Sequence, residues 1–156
     1  GVASCLTDLP TGSLVIASEF IQHDVDTTAV GDAIGLVSTV NRVEFPTWQP
    51  ETCLNVLKEL GFCATTGRVA TGDWFAVKGD RANFIRDTFQ PLLLEMEGGA
   101  VAQVCLRNGV NFVSLKSISD HLFAENQVEE YANFGQALKN LGAAVLPLAR
   151  VLRDRF

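Results

Sequence analysis

Three short segments bring together side chains that could bind and act on a flat, polar ligand. Gly72-Asp73-Trp74-Phe75 offers an aromatic platform, Glu95-Met96-Glu97 a pair of carboxylates around a thioether, and Ser119-Asp120 a hydroxyl beside an acid. Carboxylates in one site can divide acid and electrostatic work between them when their surroundings differ. Each piece also has an ordinary structural explanation. Glu97 could be a first-turn acid on a helix, Asp120 an N-cap, Phe75 a core ring and Met96 core filler. Their combination gains weight because each follows a stretch that reads as a β-strand, and open α/β sheets bind ligands at the carboxyl ends of their strands.

The elements that must position these residues follow from periodicity. Residues 13–20 read as a buried strand after a Pro-Thr-Gly turn, and residues 21–47 as a long loop with short extended pieces. From Pro50, the spacing of Cys53, Val56, Leu57 and Leu60 predicts an amphipathic helix that stops at Gly61. A strand over 63–71, a helix from Asp80 to Phe89 and a strand from Leu92 into Glu95-Met96-Glu97 come next. Gly98 to Asn108 reads as a helix ending at Gly109, Val110 to Ser117 as a strand ending at Ser119-Asp120, and the remainder as helix, with a kink expected at Pro147. Alternating strands and helices predict an α/β domain over 1–156 with a mixed, largely parallel sheet flanked by helices.

Composition narrows the chemistry. Twelve Lys and Arg stand against 18 Asp and Glu, a net charge of -6 over 156 residues, which disfavours a nucleic-acid partner. No apolar run reaches the roughly 20 residues of a membrane span. The four cysteines form no CxxC pair and no Cys/His cluster, so free thiols in a reducing compartment and no metal site are expected. Neither a phosphate-cradling Gly-rich loop nor a nucleophile elbow is present, and no cofactor is indicated.

The segments 72–75, 94–98 with Ala100-Val101-Ala102 behind it, and Ser117-Ile118-Ser119-Asp120 resemble, in order and spacing, the signatures of the nucleosidase/nucleoside phosphorylase superfamily. The nearest resemblance is to the 5′-methylthioadenosine/S-adenosylhomocysteine nucleosidases. His23-Asp24-Val25-Asp26-Thr27-Thr28-Ala29-Val30-Gly31 is similar to that family's His-Asp-x-Asp-x-Thr-Ala-x-Gly loop, and Gly1 to Leu6 to its glycine-rich turn. The resemblance implies hydrolysis of an N-glycosidic bond with release of adenine, in which an acid protonates the leaving purine as an oxocarbenium-like sugar develops. Asp120 matches that acid and Glu97 the carboxylate that receives the ribose hydroxyls. Phe75 matches the ring under the base, and backbone groups of Ala76 its edge contacts. Glu95 and Met96 fall beside the ribose segment, Ser119 positions the Asp120 segment, and Val2, Ala3 and Ser4 form the turn. Val30 falls on a lid that in the family reaches into a neighbouring subunit, implying a homodimer in the cytoplasm.

The departures cluster around the family's nucleophilic water. Val2 stands where the turn has a hydroxyl, Lys116 where the strand before Ser-Asp has an Arg, and Val30 is smaller than the lid's usual aromatic. The family's water-activating Glu belongs to a segment upstream of the glycine turn. Three readings remain: a nucleosidase, a non-catalytic nucleoside-binding or structural subunit, and a purine nucleoside phosphorylase. A fold beginning at that turn is expected to lack N-terminal strands, to leave residues 13–20 with unpaired edges, and to associate with itself or with a chain that completes it.

Overall fold

The computed structural model describes residues 1–132 and 134–156. Six strands, β1 (Val2–Cys5), β2 (Leu14–Gln22), β3 (Glu44–Pro46), β4 (Ala64–Thr71), β5 (Leu93–Glu95) and β6 (Leu115–His121), lie in the order β3-β2-β4-β5-β1-β6, and β2 also pairs with β6. The sheet is mixed, as expected. Its longest ladder, β2 with β4, is parallel, as are β4 with β5 and β1 with β6. Among the described residues five α-helices accompany it: α1 (Pro50–Glu59), α2 (Asp80–Phe89), α3 (Gly98–Arg107), α4 (Gln127–Ala132) and α5 (Gly135–Arg155).

Three expectations change. Gly1 to Leu6 is not a turn: Val2–Cys5 alternates half-buried and buried residues and forms a strand between β5 and β6. Residues 13–20 do not have open edges. β4 runs along one side of β2, while the other side pairs first with β6 at Leu14–Ile16 and then with β3 at Glu19–Ile21. The strand expected from Val110 starts only at Leu115, because residues 110–114 cross the molecule before reaching their ladder partners. Along that crossing Phe112 O accepts from Trp48 N at 2.8 Å and Ser114 O from Ala17 N at 3.0 Å. Helix α5 runs through Pro147, which does not end it.

Closure of β2 onto β6 makes β2-β4-β5-β1-β6 a ring, so alternate side chains point into a shared interior. Ala3, Cys5, Val15, Phe20, Val69, Leu93 and Ile118 fill it. Outside, α1 and α5 cover Leu14, Ile16 and Leu115, and α2 covers Ile21, Ala70 and Leu94. Cys5, Cys53, Cys63 and Cys105 are free thiols. Among the described residues no helix is long and apolar enough to cross a membrane.

One polar knot ties the ring together. Lys116 Nζ on β6 donates to Glu95 Oε2 on β5 at 2.7 Å, with the two side chains only 7% and 1% exposed. Thr71 Oγ1 at the end of β4 donates to Glu95 Oε1. The Gly98 amide donates to Glu95 Oε2 at 2.7 Å, and the Gly99 amide to Thr71 Oγ1 at 2.8 Å. Two of the otherwise unpaired amides at the start of α3 are thus satisfied by side chains of the sheet. Burial by itself would push the Glu95 carboxyl up; the Lys116 ammonium, with hydrogen bonds from Lys116, Thr71 and Gly98, outweighs it and holds the group below the ordinary glutamate value of 4.5. Stability drawn from this depression is complete above that ordinary value and is lost as pH falls through the lower folded value.

Replacing Lys116 with Met should therefore cost about 3–5 kcal/mol in urea unfolding at pH 7, because it leaves a buried carboxylate unpaired. The gap from the unsubstituted protein should narrow in acid. A Cβ at Gly98 would stand 2.3 Å from Phe20 Cε1 and 3.0 Å from Glu95 Oε2. Gly98→Ala should cost about 1–3 kcal/mol and lower the thermal midpoint, since the wholly buried Phe20 ring has nowhere to go.

Candidate functional site

Strand register decides which side chains meet at the end of the ring. Pairing of β1 with β6 slips between Ala3 and Ser4: Ala3 faces Ile118, Ser4 faces Asp120, and Ser119 is left without an opposite residue. Such a bulge re-aims the side chains beyond it. Here Asp120 turns into a cleft, open to solvent, at the ends of β1, β4, β5 and β6.

The Asp120 carboxylate is 1% exposed and held from both sides. Ser119 Oγ lies 2.6 Å from Oδ1 and 3.1 Å from the Ala3 carbonyl, and Gln127 Nε2 donates to Oδ2 at 3.0 Å. Ser119 has one proton for two acceptors. With Asp120 ionised, the hydroxyl donates to Oδ1; with a proton on Oδ1, the acid donates to Ser119 and the hydroxyl turns to the Ala3 carbonyl. Either arrangement of the proton therefore finds a hydrogen-bond partner.

Glu97 has the opposite environment. It occupies the N-cap position of α3, makes no side-chain cap bond, and is exposed, with no hydrogen bond or ion pair from its carboxylate among the described residues. Met96 beside it is 40% exposed. Glu95 lines the cleft, but its oxygens are taken by Lys116, Thr71 and Gly98, and Lys116 itself lies behind Glu95 and off the cleft wall. Val2, Ala3 and Ser4 line the wall, Val2 with no hydrogen-bonding side chain and Ser4 with a buried, unpartnered Oγ. Val30 is 80% exposed on a short 3-10 turn (Thr28–Val30) away from the cleft.

The aromatic wall comes from the turn after β4. Gly72 is required there, since a Cβ would stand 2.4 Å from the His23 ring. Asp24 Oδ2 accepts from the Asp73 amide at 2.8 Å, the edge of His23 packs on Trp74, and the Arg81 guanidinium lies 4.4 Å from the centre of the Trp74 ring. Burial, the largest influence on His23, lowers its pKa. So buttressed, the turn presents Phe75, 43% exposed, and Ala76 to the cleft.

Helix α4 supplies a wall that the motifs did not announce. Gln127 and Tyr131, one turn apart on the same face, both line the cleft. Tyr131 meets Phe75 edge-on at 4.9 Å between ring centres, and Glu130 pins the helix by accepting from the His121 amide and lying 2.9 Å from His121 Nδ1. Burial alone would lower the His121 pKa; the Leu9 carbonyl and Glu130 prevail and raise it. The i, i+4 spacing of Gln127 and Tyr131 just after the third strand end is the sequence signal that could have placed them.

The arrangement resembles those of known proteins. The family model of the phosphorylase superfamily matches residues 1–153. A 5′-methylthioadenosine/S-adenosylhomocysteine nucleosidase of Geobacillus kaustophilus is 35% identical over 153 residues, covering 96% of this chain and 65% of that protein. This chain thus spans about two thirds of the relative's length. The crystal structure of the nucleosidase of the same name from Neisseria meningitidis, in complex with methylthio-immucillin-A, superposes with a TM-score of 0.86 at 28% identity, covering 97% of this chain and 67% of that one. A Colwellia psychrerythraea nucleosidase in complex with adenine gives 0.84 at 29% identity, covering 95% and 63%. Matched by the family model over residues 1–153 and superposing on these structures over nearly its whole length, this chain belongs to the phosphorylase superfamily.

Proposed function

We propose that the protein is a purine nucleosidase that releases adenine from nucleosides of the methylthioadenosine/adenosylhomocysteine type. The observation that carries this reading is the pair of carboxylates in one cleft with opposite surroundings. Asp120 is buried and hydrogen-bonded in a fixed orientation, and Glu97 is open, with no partner for its carboxylate among the described residues. A purine stacked on Phe75, with its edge on the Ala76 backbone, would put a ring nitrogen within reach of Asp120. As the glycosidic bond stretches, negative charge builds on the base and positive charge on the sugar. Asp120 gives its proton to the base, and Ser119 swings from the Ala3 carbonyl to the carboxylate left behind. Glu97 receives the ribose hydroxyls and stabilises the sugar cation, with Met96 against the ribose.

Glu95 and Lys116 act beneath this chemistry by fixing the Met96-Glu97 segment. Val2, Ala3 and Ser4 close the sugar end of the cleft. The nucleosidases that this chain resembles support the substrate class, and the exposed turn at Val30 supports a homodimer in which that turn acts as a lid on the partner. Four free thiols support a cytoplasmic setting. A second reading, a nucleoside-binding subunit without turnover, is favoured by Val2, which offers water no hydrogen bond, and by the full commitment of Glu95 to Lys116, Thr71 and Gly98.

Adenine release from methylthioadenosine, followed by absorbance, separates them. The nucleosidase reading expects phosphate-independent release, with Asp120→Asn slower by about 10²–10⁴-fold. Release that requires phosphate would make the protein a phosphorylase. Adenine binding without release above the Asp120→Asn background would favour the binding subunit.

A further inference from the structure

Gln127 does more than steady Asp120: the same nitrogen also reaches a backbone carbonyl, an arrangement for which the proposed chemistry has no use. Its side chain enters the cleft from the first turn of α4, is buried, and splits the two protons of one amide nitrogen between the Ala76 carbonyl at 2.8 Å and Asp120 Oδ2 at 3.0 Å. A planar NH2 group bridging a backbone carbonyl and a carboxylate is the donor pattern that an exocyclic amine on an aromatic base would present. Both acceptors stand at the edge of the cleft assigned to the base.

We propose that Gln127 is an internal stand-in for the amino group of the base: its carboxamide satisfies the two acceptors, and an aminopurine binds by displacing it. This rests on the purine-nucleoside reading above. The exchange balances. Asp120 and the Ala76 carbonyl keep a donor throughout, so a buried carboxylate and a buried carbonyl are unpaired in neither state. The cost falls on α4, which must carry Gln127 outward. That helix has six residues and is held at the cleft by Glu130 on His121 and by the Tyr131–Phe75 contact. A base lacking the amine would face the two acceptors with no donor to replace the one it expels, so the device also favours an amino-bearing base over its oxo counterpart.

The test is adenine binding by calorimetry to the unsubstituted protein, Gln127→Ala and Gln127→Asn, the last keeping the amide but shortening its reach. Thermal midpoints are recorded without ligand. Adenine should bind both variants about three- to tenfold more tightly, the scale of the hydrogen bonds no longer competing, while the ligand-free midpoint falls. A side-chain amide resonance of Gln127 that is protected from exchange in the free protein should lose that protection when adenine is added. Equal or weaker adenine binding by both variants, or an amide that stays protected in the adenine complex, would overturn the inference and leave the purine reading standing, with Gln127 a fixed support for Asp120. No adenine binding by any of the three proteins would remove the purine reading, and this inference with it.

Discussion

The buried contact between Lys116 and Glu95 is the constraint on which the remaining structure turns. Neither charge can lie at 7% and 1% exposure without the other. Their 2.7 Å contact therefore fixes how β5 and β6 stand across β1, the strand between them. Because Glu95 also receives the Gly98 amide, the same contact sets where α3 begins and so where the intervening Met96 and Glu97 emerge. One ion pair thus links closure of the sheet to the position of the open carboxylate. It also explains why two glycines open α3: the Glu95 and Thr71 side chains and the Phe20 ring fill the space that Cβ atoms would need.

The two carboxylates of the cleft acquire different properties from backbone geometry. Asp120 lies within a strand, beyond a slip in register, where a neighbouring hydroxyl and amide hold its oxygens. Glu97 lies in the step from strand to helix, where none of the described residues hydrogen-bonds to its oxygens. The residues that hold Asp120 apart from solvent, Ser119 and Gln127, are both buried.

Much of this was legible in the residues. The spacing of Cys53, Val56 and Leu57 marked α1, the apolar run after the Pro-Thr-Gly turn marked β2, and strand-end motifs marked Phe75, Glu97 and Asp120 as neighbours. What escaped depended on partners distant in the chain. Val2–Cys5 is a strand only because β5 and β6 lie on either side of it, and four small residues carry too little local preference to announce that. The start of β6 at Leu115 is likewise set by where β1 and β2 are available to pair. Gln127 and Tyr131 were hidden in a long helical remainder. Their role follows from a break between α4 and α5 that hydrophobic spacing along one face does not record.

The pairing of β1 with β6 joins Val2–Cys5 to Ser117–His121, segments more than a hundred residues apart. Contacts this distant are made late and slowly, because the loop between them must be closed first. On a ribosome β1 can pair with β5 as soon as β5 has emerged, but Asp120, Gln127 and Tyr131 leave the exit tunnel only with β6 and α4. The buried acid and the wall that faces Phe75 are therefore the last parts of the cleft to be made.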